Sequence, residues 1–331
     1  MADNAQQFRA RLKATGLTDS AINAAWPEWW SDAADASASA QAELRFSLAR
    51  KLGLDPRSLF DDDAPKFFWD DSAKYKNFKG DPERDRPAIT AFGNSISRML
   101  IKGAPFYKPL IGLDAKVLRD SILANQPFVR LVDLLATLWA MGVPTAHLRV
   151  YPLAAKRMCA MASRSGERFA ILLAKDSNFP ASVAFHVAHE IGHIALGHIG
   201  DGSALIDMED TDEHVDESDA EEKAADRYAL ELLTGDPDFT VAKEGRGRNP
   251  QQLASEALTV GPANRIEPGT LALCYAHVTD EWATLQAAMP YIYTQSIPAW
   301  SVTNKIASSQ LDWDAITDEN ASFLRAVMGA V

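Results

Sequence analysis

Cysteine is scarce in this sequence. Cys159 and Cys274 are the only two cysteines among 331 residues, and they form no Cys-x-x-Cys pair. Two isolated cysteines argue against a disulfide framework and are typical of buried thiols in a reducing compartment. We therefore expect the protein to be cytoplasmic.

Long apolar runs are also missing. No stretch approaches the roughly 18–20 consecutive apolar residues of a membrane-spanning helix. The first segment, Met1 to Arg11, is polar and lacks the apolar centre of a signal peptide. These absences predict a soluble protein that has no membrane partner.

Positive charge is in the minority, with 33 Lys and Arg against 45 Asp and Glu and a net charge of -12. Non-specific binding to nucleic acid needs a basic surface that displaces counterions, so this class of function is disfavoured. The net charge does not exclude a local basic patch on the surface. A glycine-rich phosphate loop is absent too, because Gly192 and Gly197 fall in a helical pattern and not after a strand.

Hydrophobic residues make up 47% of the sequence and charged residues 24%, which is enough to form a sizeable hydrophobic core. We predict a mainly helical α+β protein with a small three-stranded sheet packed on a central helix. Four regions follow from changes in pattern. They are an N-terminal helical region (1–65), an aromatic connector and helix (66–120), a core (121–240) and a C-terminal helical region (241–331).

The N-terminal region leaves two interpretations open. Its short helices with tight turns fit a small helical bundle, and they also fit a helix-turn-helix module. In the connector, Phe67-Phe68-Trp69 predicts an ordered aromatic cluster packed at a junction, because a flexible linker would be rich in Gly and Ser.

The central feature is His189-Glu190-Ile191-Gly192-His193, within a mostly apolar run from Phe179 to His198. In a helix the two histidines are i and i+4, so both imidazoles leave one face and can hold one metal ion. Glu190 can reach water at that metal as a general base. Two ligands and one base on a single turn are the minimal apparatus of a zinc hydrolase.

Three short segments before this helix predict the sheet: 147–151, 158–162 and 169–173, with a hairpin at 163–167. The strand at 169–173 precedes the metal helix, so we hypothesise that an extended substrate adds to it as a further strand. After the metal helix, the acidic stretch from Ile206 to Asp219 predicts a solvated loop near the site.

A catalytic zinc takes three protein ligands, and a His₂Glu set is common. A second predicted helix, from Glu221 to Leu233, carries the best third ligand, Glu222, on its inward face. Asp226 lies one turn further on. From there it can accept the N–H of a ligating histidine and orient it.

The sequence gives weaker reasons to place the other histidines at the metal. His198 is predicted to be a residue at the helix C-terminus, where the dipole favours it, and not a ligand. His186 would crowd the metal and is predicted to be packed or hydrogen-bonded. His277 is a minor candidate for a transition-state donor. His147 and His214 have no special context.

The two motifs together resemble the ImmA/IrrE family of metallopeptidases. That family pairs His-Glu-x-Gly-His with a downstream Glu-x-x-Ala-(Asp/Asn)-x-(Phe/Tyr)-Ala-x-x-Leu-Leu helix, matched here from Glu222 to Leu233. The resemblance covers roughly Leu131 to Gly235. One departure is Ala224, where members often have Glu, but the ligand position is kept. The resemblance implies a cytoplasmic protease that cuts a transcriptional repressor, in stress response and transcription regulation.

We therefore predict a zinc-dependent endopeptidase whose partner is a protein substrate such as a repressor. Glu190 is the predicted catalytic base, His189, His193 and Glu222 the metal ligands, and Asp226 the residue that orients a histidine. The alternative is a regulatory DNA- or protein-binding protein with a structural or sensory metal site.

Overall fold

The computed structural model describes residues 4–61, 64–68, 73–76, 82–104, 107–154, 158–208, 220–241 and 247–329. Within these residues the helices are α1 Ala5–Ala14, α2 Asp19–Ala25, α3 Asp32–Asp35, α4 Ala38–Leu52, α5 Pro82–Gly103, α6 Ala115–Leu123, α7 Leu131–Ala140, α8 Pro180–Ala195, α9 Ala220–Thr234, α10 Pro250–Ala263, α11 Pro268–Thr279, α12 Trp282–Ile292, α13 Ala299–Gln310 and α14 Asp318–Met328. The strands are β1 Ala73–Lys76, β2 Thr145–His147, β3 Met158–Ser165, β4 Arg168–Leu173 and β5 Ala204–Met208. The protein is mainly helical, as predicted.

The strands form one mixed sheet in the order β1-β5-β3-β4-β2. Strands β3 and β4 pair in antiparallel fashion through a turn in which Gly166 has a φ of 62°. Strand β3 also pairs antiparallel with β5, while β1 runs parallel to β5 and β2 runs parallel to β4. The outer strands of the described sheet are therefore β1 and β2.

The prediction of three strands was wrong in number and partly wrong in position. The segments 158–162 and 169–173 lie within β3 and β4, and the hairpin between them is confirmed. The segment 147–151 shares only His147 with β2. Strand β1 was missed because four residues reading Ala-Lys-Tyr-Lys are short and half charged, so they form a strand only through pairing with β5.

Strand β5 corrects the prediction of a solvated loop from Ile206 onwards. Ile206 and Met208 are buried, and the strand pairs on both sides. The carboxylates that follow in the sequence obscured this apolar segment. Residues 209–219, the rest of the acidic stretch, lie outside the described residues.

The position of β4 contradicts the hypothesis that an extended substrate adds to it. β4 lies between β3 and β2 and is hydrogen-bonded to both. An added strand needs an edge with unpaired backbone groups, and β4 does not offer one.

Helix α5 packs on one face of the sheet. Gly93 allows this close packing, because a Cβ atom there would fall 2.3 Å from Met161 Sδ of β3. The same core continues into α1, α2, α4 and α14. Phe67 is half-buried against this core, whereas Phe68 is 55% exposed, so the predicted packing of the aromatic cluster is wrong for Phe68. Trp69 lies outside the described residues.

Helix α8 lies on the opposite face of the sheet, in a second core shared with α6, α7 and α9. A third core joins α10, α11 and α12 around Leu253, Tyr275 and Met289. The N-terminal and C-terminal parts of the described chain are helical, as predicted, while the division into four regions stays a prediction. In the described part of the chain, no helix combines the length and apolar character that crossing a bilayer requires.

Candidate metal centre

Helix α8 carries the central motif through the interior of the protein. It begins at Pro180, which suits the first helical turn. It ends at Ala195, three residues before the predicted end. Val187, Ile191 and Ile194 are at most 1% exposed. The helix is buried along most of its length, so polar side chains on it require partners within the protein.

His189 and His193 leave α8 on the same side, one turn apart, as their spacing predicted. Their Nε2 atoms lie 2.9 Å from each other. His189 is 7% exposed and His193 is fully buried. Two imidazole nitrogens that converge in a buried place form the beginning of a metal site.

Helix α9 brings Glu222 to these two nitrogens. Glu222 Oε2 lies 3.5 Å from His189 Nε2, and Glu222 Oε1 lies 3.2 Å from His193 Nε2. Burial acts to raise the pKa of Glu222, but the two imidazoles outweigh it and hold the pKa well below its usual range. Glu222 is therefore an anion at neutral pH.

The three side chains fit a metal ion. Ligands about 2.0–2.1 Å from a tetrahedral zinc are roughly 3.3 Å apart, and the observed separations of 2.9, 3.2 and 3.5 Å surround that value. Glu222 Oε1 is buried and has no hydrogen-bond partner. His189, His193 and Glu222 form the group among the described residues whose donor atoms could hold a metal ion. The site has two nitrogen donors and one carboxylate, a set that zinc accepts.

Asp226 lies behind His189, one turn after Glu222 on α9. His189 Nδ1 donates to Asp226 Oδ1 at 2.8 Å, which leaves Nε2 directed at the metal site. Burial lowers the pKa of His189, but the contacts with Asp226 and Glu222 outweigh this and raise it to about 10. A metal ion must displace that proton to bind.

His198 forms the corresponding contact behind His193, and the sequence analysis missed it. The Nδ1 atoms of His193 and His198 lie 2.9 Å apart, so one ring donates to the other. The prediction that His198 is a residue at the helix C-terminus is wrong, because α8 ends at Ala195 and His198 lies in the segment that follows. The chain turns back after α8 and so carries the imidazole of His198 to that of His193. Their separation of only five residues in the sequence was the available sign of this contact.

Glu190 lies beside the metal donors and is completely buried. Neither of its carboxylate oxygens has a hydrogen-bond partner. Burial, opposed by the charge of His189, raises the pKa of Glu190 to about 8. A buried carboxyl group without a partner is costly, and it becomes useful where a proton must be accepted and released.

The remaining histidines lie apart from the donor atoms. His186 Nδ1 is 4.0 Å from Asp207 Oδ2, and burial lowers the pKa of His186 to about 3, so the ring is neutral. His147 is buried and contacts the backbone carbonyls of Leu148 and Lys175. His277 lies on α11, where it packs edge-on against Trp282. His214 lies outside the described residues.

A cavity of about 960 Å³ begins next to the site, between α8, α9, α11 and α12. Asp226 and His186 belong to its wall, so it borders the surroundings of His189. Most of its wall is apolar, with contributions from Phe185, Leu230 and Leu273. Its size and character suit the binding of an apolar group.

The two cysteines are free thiols. Cys159 is buried in β3, as predicted, whereas Cys274 of α11 is partly exposed, which differs from the prediction of a buried thiol, and belongs to the wall of the cavity. Burial raises the pKa of Cys274 to about 12, so its thiol stays protonated and is a poor nucleophile.

Comparison with known proteins places this site inside a peptidase-like segment. Residues 159–287 match the model of the family described as Peptidase U49. The match includes α8, α9 and most of the cavity wall, and it supports a peptidase function. No curated protein and no solved structure matches the chain. The more specific resemblance to the ImmA/IrrE family stays a prediction.

Proposed function

We propose that the protein is a zinc-dependent endopeptidase. The observation that carries this proposal is the convergence of His189, His193 and Glu222, from two helices, beside the unpartnered carboxyl group of Glu190. The peptidase family match over the same segment supports it. If the His-Glu-x-x-His motif had arisen by chance, Glu222 of a separate helix would not be expected at ligand distance from both histidines.

His189 Nε2, His193 Nε2 and a Glu222 oxygen would hold the ion. Asp226 and His198 keep the two imidazoles oriented through their Nδ1 atoms. When bound, zinc supplies Lewis acidity, which polarises the scissile carbonyl and lowers the pKa of water.

Glu190 moves the proton. As a carboxylate it takes the proton of the attacking water, and as a carboxylic acid it gives that proton to the leaving amine. Both steps need a group that changes protonation near neutral pH. The raised pKa of Glu190, about 8, suits that task, because burial outweighs the charge of His189 and neither carboxylate oxygen has a hydrogen-bond partner.

The substrate is a protein or peptide. The cavity beside Asp226 is large enough for a bulky apolar side chain next to the cleaved bond. The resemblance adds the expectation that the substrate is a transcriptional repressor and that cleavage takes place in the cytoplasm.

The variant Glu190→Gln tests the proposal. Wild-type protein, E190Q and the control Glu231→Gln, which changes a carboxylate of α9 away from the donors, are loaded with zinc. Each is incubated with any transcriptional repressor that neighbouring genes encode and with a library of proteome-derived peptides, with and without chelator. New termini are identified by mass spectrometry, and bound zinc is measured for each protein.

We expect wild-type protein and E231Q to cleave only with zinc, and E190Q to bind zinc but not to cleave. If E190Q cleaves as fast as wild type, the role of Glu190 is wrong. If the wild-type protein binds zinc yet cuts neither the repressor nor any peptide, the alternative of a binding protein with a structural or sensory metal is favoured instead.

A further inference from the structure

Strand β1 ends beside the metal donors, at the edge of the described sheet. Its last residue, Lys76, is opposite Asp207 of β5, so both side chains leave the same face of the sheet. Lys76 Nζ lies 3.2 Å from Glu222 Oε1. The Lys76 side chain is only 13% exposed. Its charge therefore acts on Glu222 with less screening than a surface charge would.

The surroundings of Glu222 explain what this ammonium group can do. Oε1 is buried, and neither Lys76 nor His193 meets it with hydrogen-bond geometry. Glu190 and Asp226 place two more carboxyl groups around the same imidazoles. A nearby cation attracts the Glu222 carboxylate and favours its inward-facing position beside the imidazoles.

We propose that Lys76 is a positioning residue that holds Glu222 toward His189 and His193 as a metal ligand. The inference rests on the proposed metal centre and extends it to a strand that precedes the metal helix by about a hundred residues. Contacts behind a metal ligand commonly change metal affinity by about 10–100-fold when they are removed. We expect a change of that size at Lys76.

Lys74 provides a matched control. It is two residues earlier on β1 and forms an ion pair with Glu221, the neighbour of Glu222, at 2.9 Å. The Lys74 and Glu221 side chains are 55% and 39% exposed, so this pair lies in solvent and contributes little. Both lysines thus connect β1 to the first turn of α9, but only Lys76 contacts a proposed ligand.

The experiment measures zinc affinity of the full-length protein by competition with a chromogenic chelator. The variants are Lys76→Met, Lys76→Arg and Lys74→Met. We expect K76M to raise the Kd for zinc by about 10–100-fold, K76R to recover most of the affinity, and K74M to stay within about twofold of wild type. Far-UV circular dichroism and thermal unfolding in chelator verify folding, and Lys76→Gln replaces K76M if the Met variant is misfolded.

The outcomes separate this inference from the proposed function. If wild type binds zinc and K76M resembles K74M, the positioning role of Lys76 is wrong and the metal centre stands. Tighter zinc binding by K76M also overturns it, because Lys76 would then compete with the metal for Glu222. A wild-type protein that binds no zinc overturns both.

Discussion

Gly192 of α8 lies against the backbone of Ala225 of α9. A Cβ atom at position 192 would fall 3.0 Å from the Ala225 carbonyl oxygen and 3.1 Å from its Cα atom. The glycine of the central motif therefore sets the separation of the two helices. That separation brings Glu222 to the two histidines.

The variant Gly192→Ala tests this relationship. Helix propensity alone would stabilise α8 by about 1 kcal/mol, but the new methyl group meets backbone and costs about 1–3 kcal/mol. We expect a lower free energy of unfolding in urea and weaker zinc binding, since α9 must move away. A variant that is more stable than wild type and binds zinc equally well would contradict this.

Removal of the carboxylate behind His189 should weaken metal binding. In Asp226→Asn the Nδ1 contact loses its charge, and Nε2 is less well oriented and less basic. We expect the Kd for zinc to rise by about 10–100-fold. Glu231→Gln, a neutralised carboxylate on the same helix, should leave the Kd unchanged. Equal affinities for the two variants would exclude an orienting role for Asp226.

His198 should matter to the metal, and His277 should not. His198→Ala removes the partner of His193 Nδ1, so zinc affinity should fall by about tenfold, in the lower part of the usual range. His277→Ala changes a cavity residue and should leave zinc affinity intact. Isothermal titration with zinc measures both, and a loss in H277A equal to that in H198A would argue against this assignment.

Glu190 should make the metal-free protein less stable as the pH rises. Burial raises its folded pKa from 4.5 to about 8. The folded state thus retains a proton that the unfolded state releases, so the contribution of Glu190 to stability is fully present below pH 4.5 and is lost as the pH rises through about 8. The full effect is about 5 kcal/mol, at about 1.4 kcal/mol per pH unit.

The variant E190Q measures this effect. In chelator, its stability relative to wild type should increase by a few kcal/mol between pH 5 and pH 8. Urea unfolding at the two pH values gives the difference, which includes the charge interaction between Glu190 and His189. A difference that does not depend on pH would show that Glu190 ionises normally in the folded protein.

The cavity should determine which residues flank the cleaved bond. Leu273→Trp fills part of the cavity from its apolar wall, on a helix that carries none of the proposed ligands. We expect wild type to prefer a large apolar residue next to the cut, and L273W to prefer a smaller one at unchanged zinc affinity. Sequencing of products from a peptide library provides the preference. Identical preferences would place the specificity site elsewhere.

Much of the candidate site could be predicted because it depends on local periodicity. The spacing of His189 and His193 places both rings on one helix face in any α-helix. The second helix was predicted from Glu221 to Leu233 and spans Ala220–Thr234. The spacing of its apolar residues and the glycine that follows, Gly235, define where this helix begins and ends without reference to the rest of the chain.

The missed strand contacts join distant segments, and the missed histidine contact depends on a turn. Strand β1 exists through its pairing with β5, and β4 became an interior strand because β2 pairs with its outer side. His198 reaches His193 only because the chain turns back after α8. None of these contacts leaves a periodic pattern in the sequence, since short strands and turns gain their stability from neighbours.

The sequence by itself determined the side chains of the candidate site: two imidazoles and two carboxyl groups, on helices whose apolar faces specify that those side chains point inward. The tertiary structure alone decided their surroundings, namely the distance between the helices, the strand that carries Lys76 to Glu222, and the cavity beside Asp226. The physical reason is the range of the interactions. Helical periodicity operates over a few residues, whereas the pairing of strands and the packing of helices join segments that the sequence holds far apart.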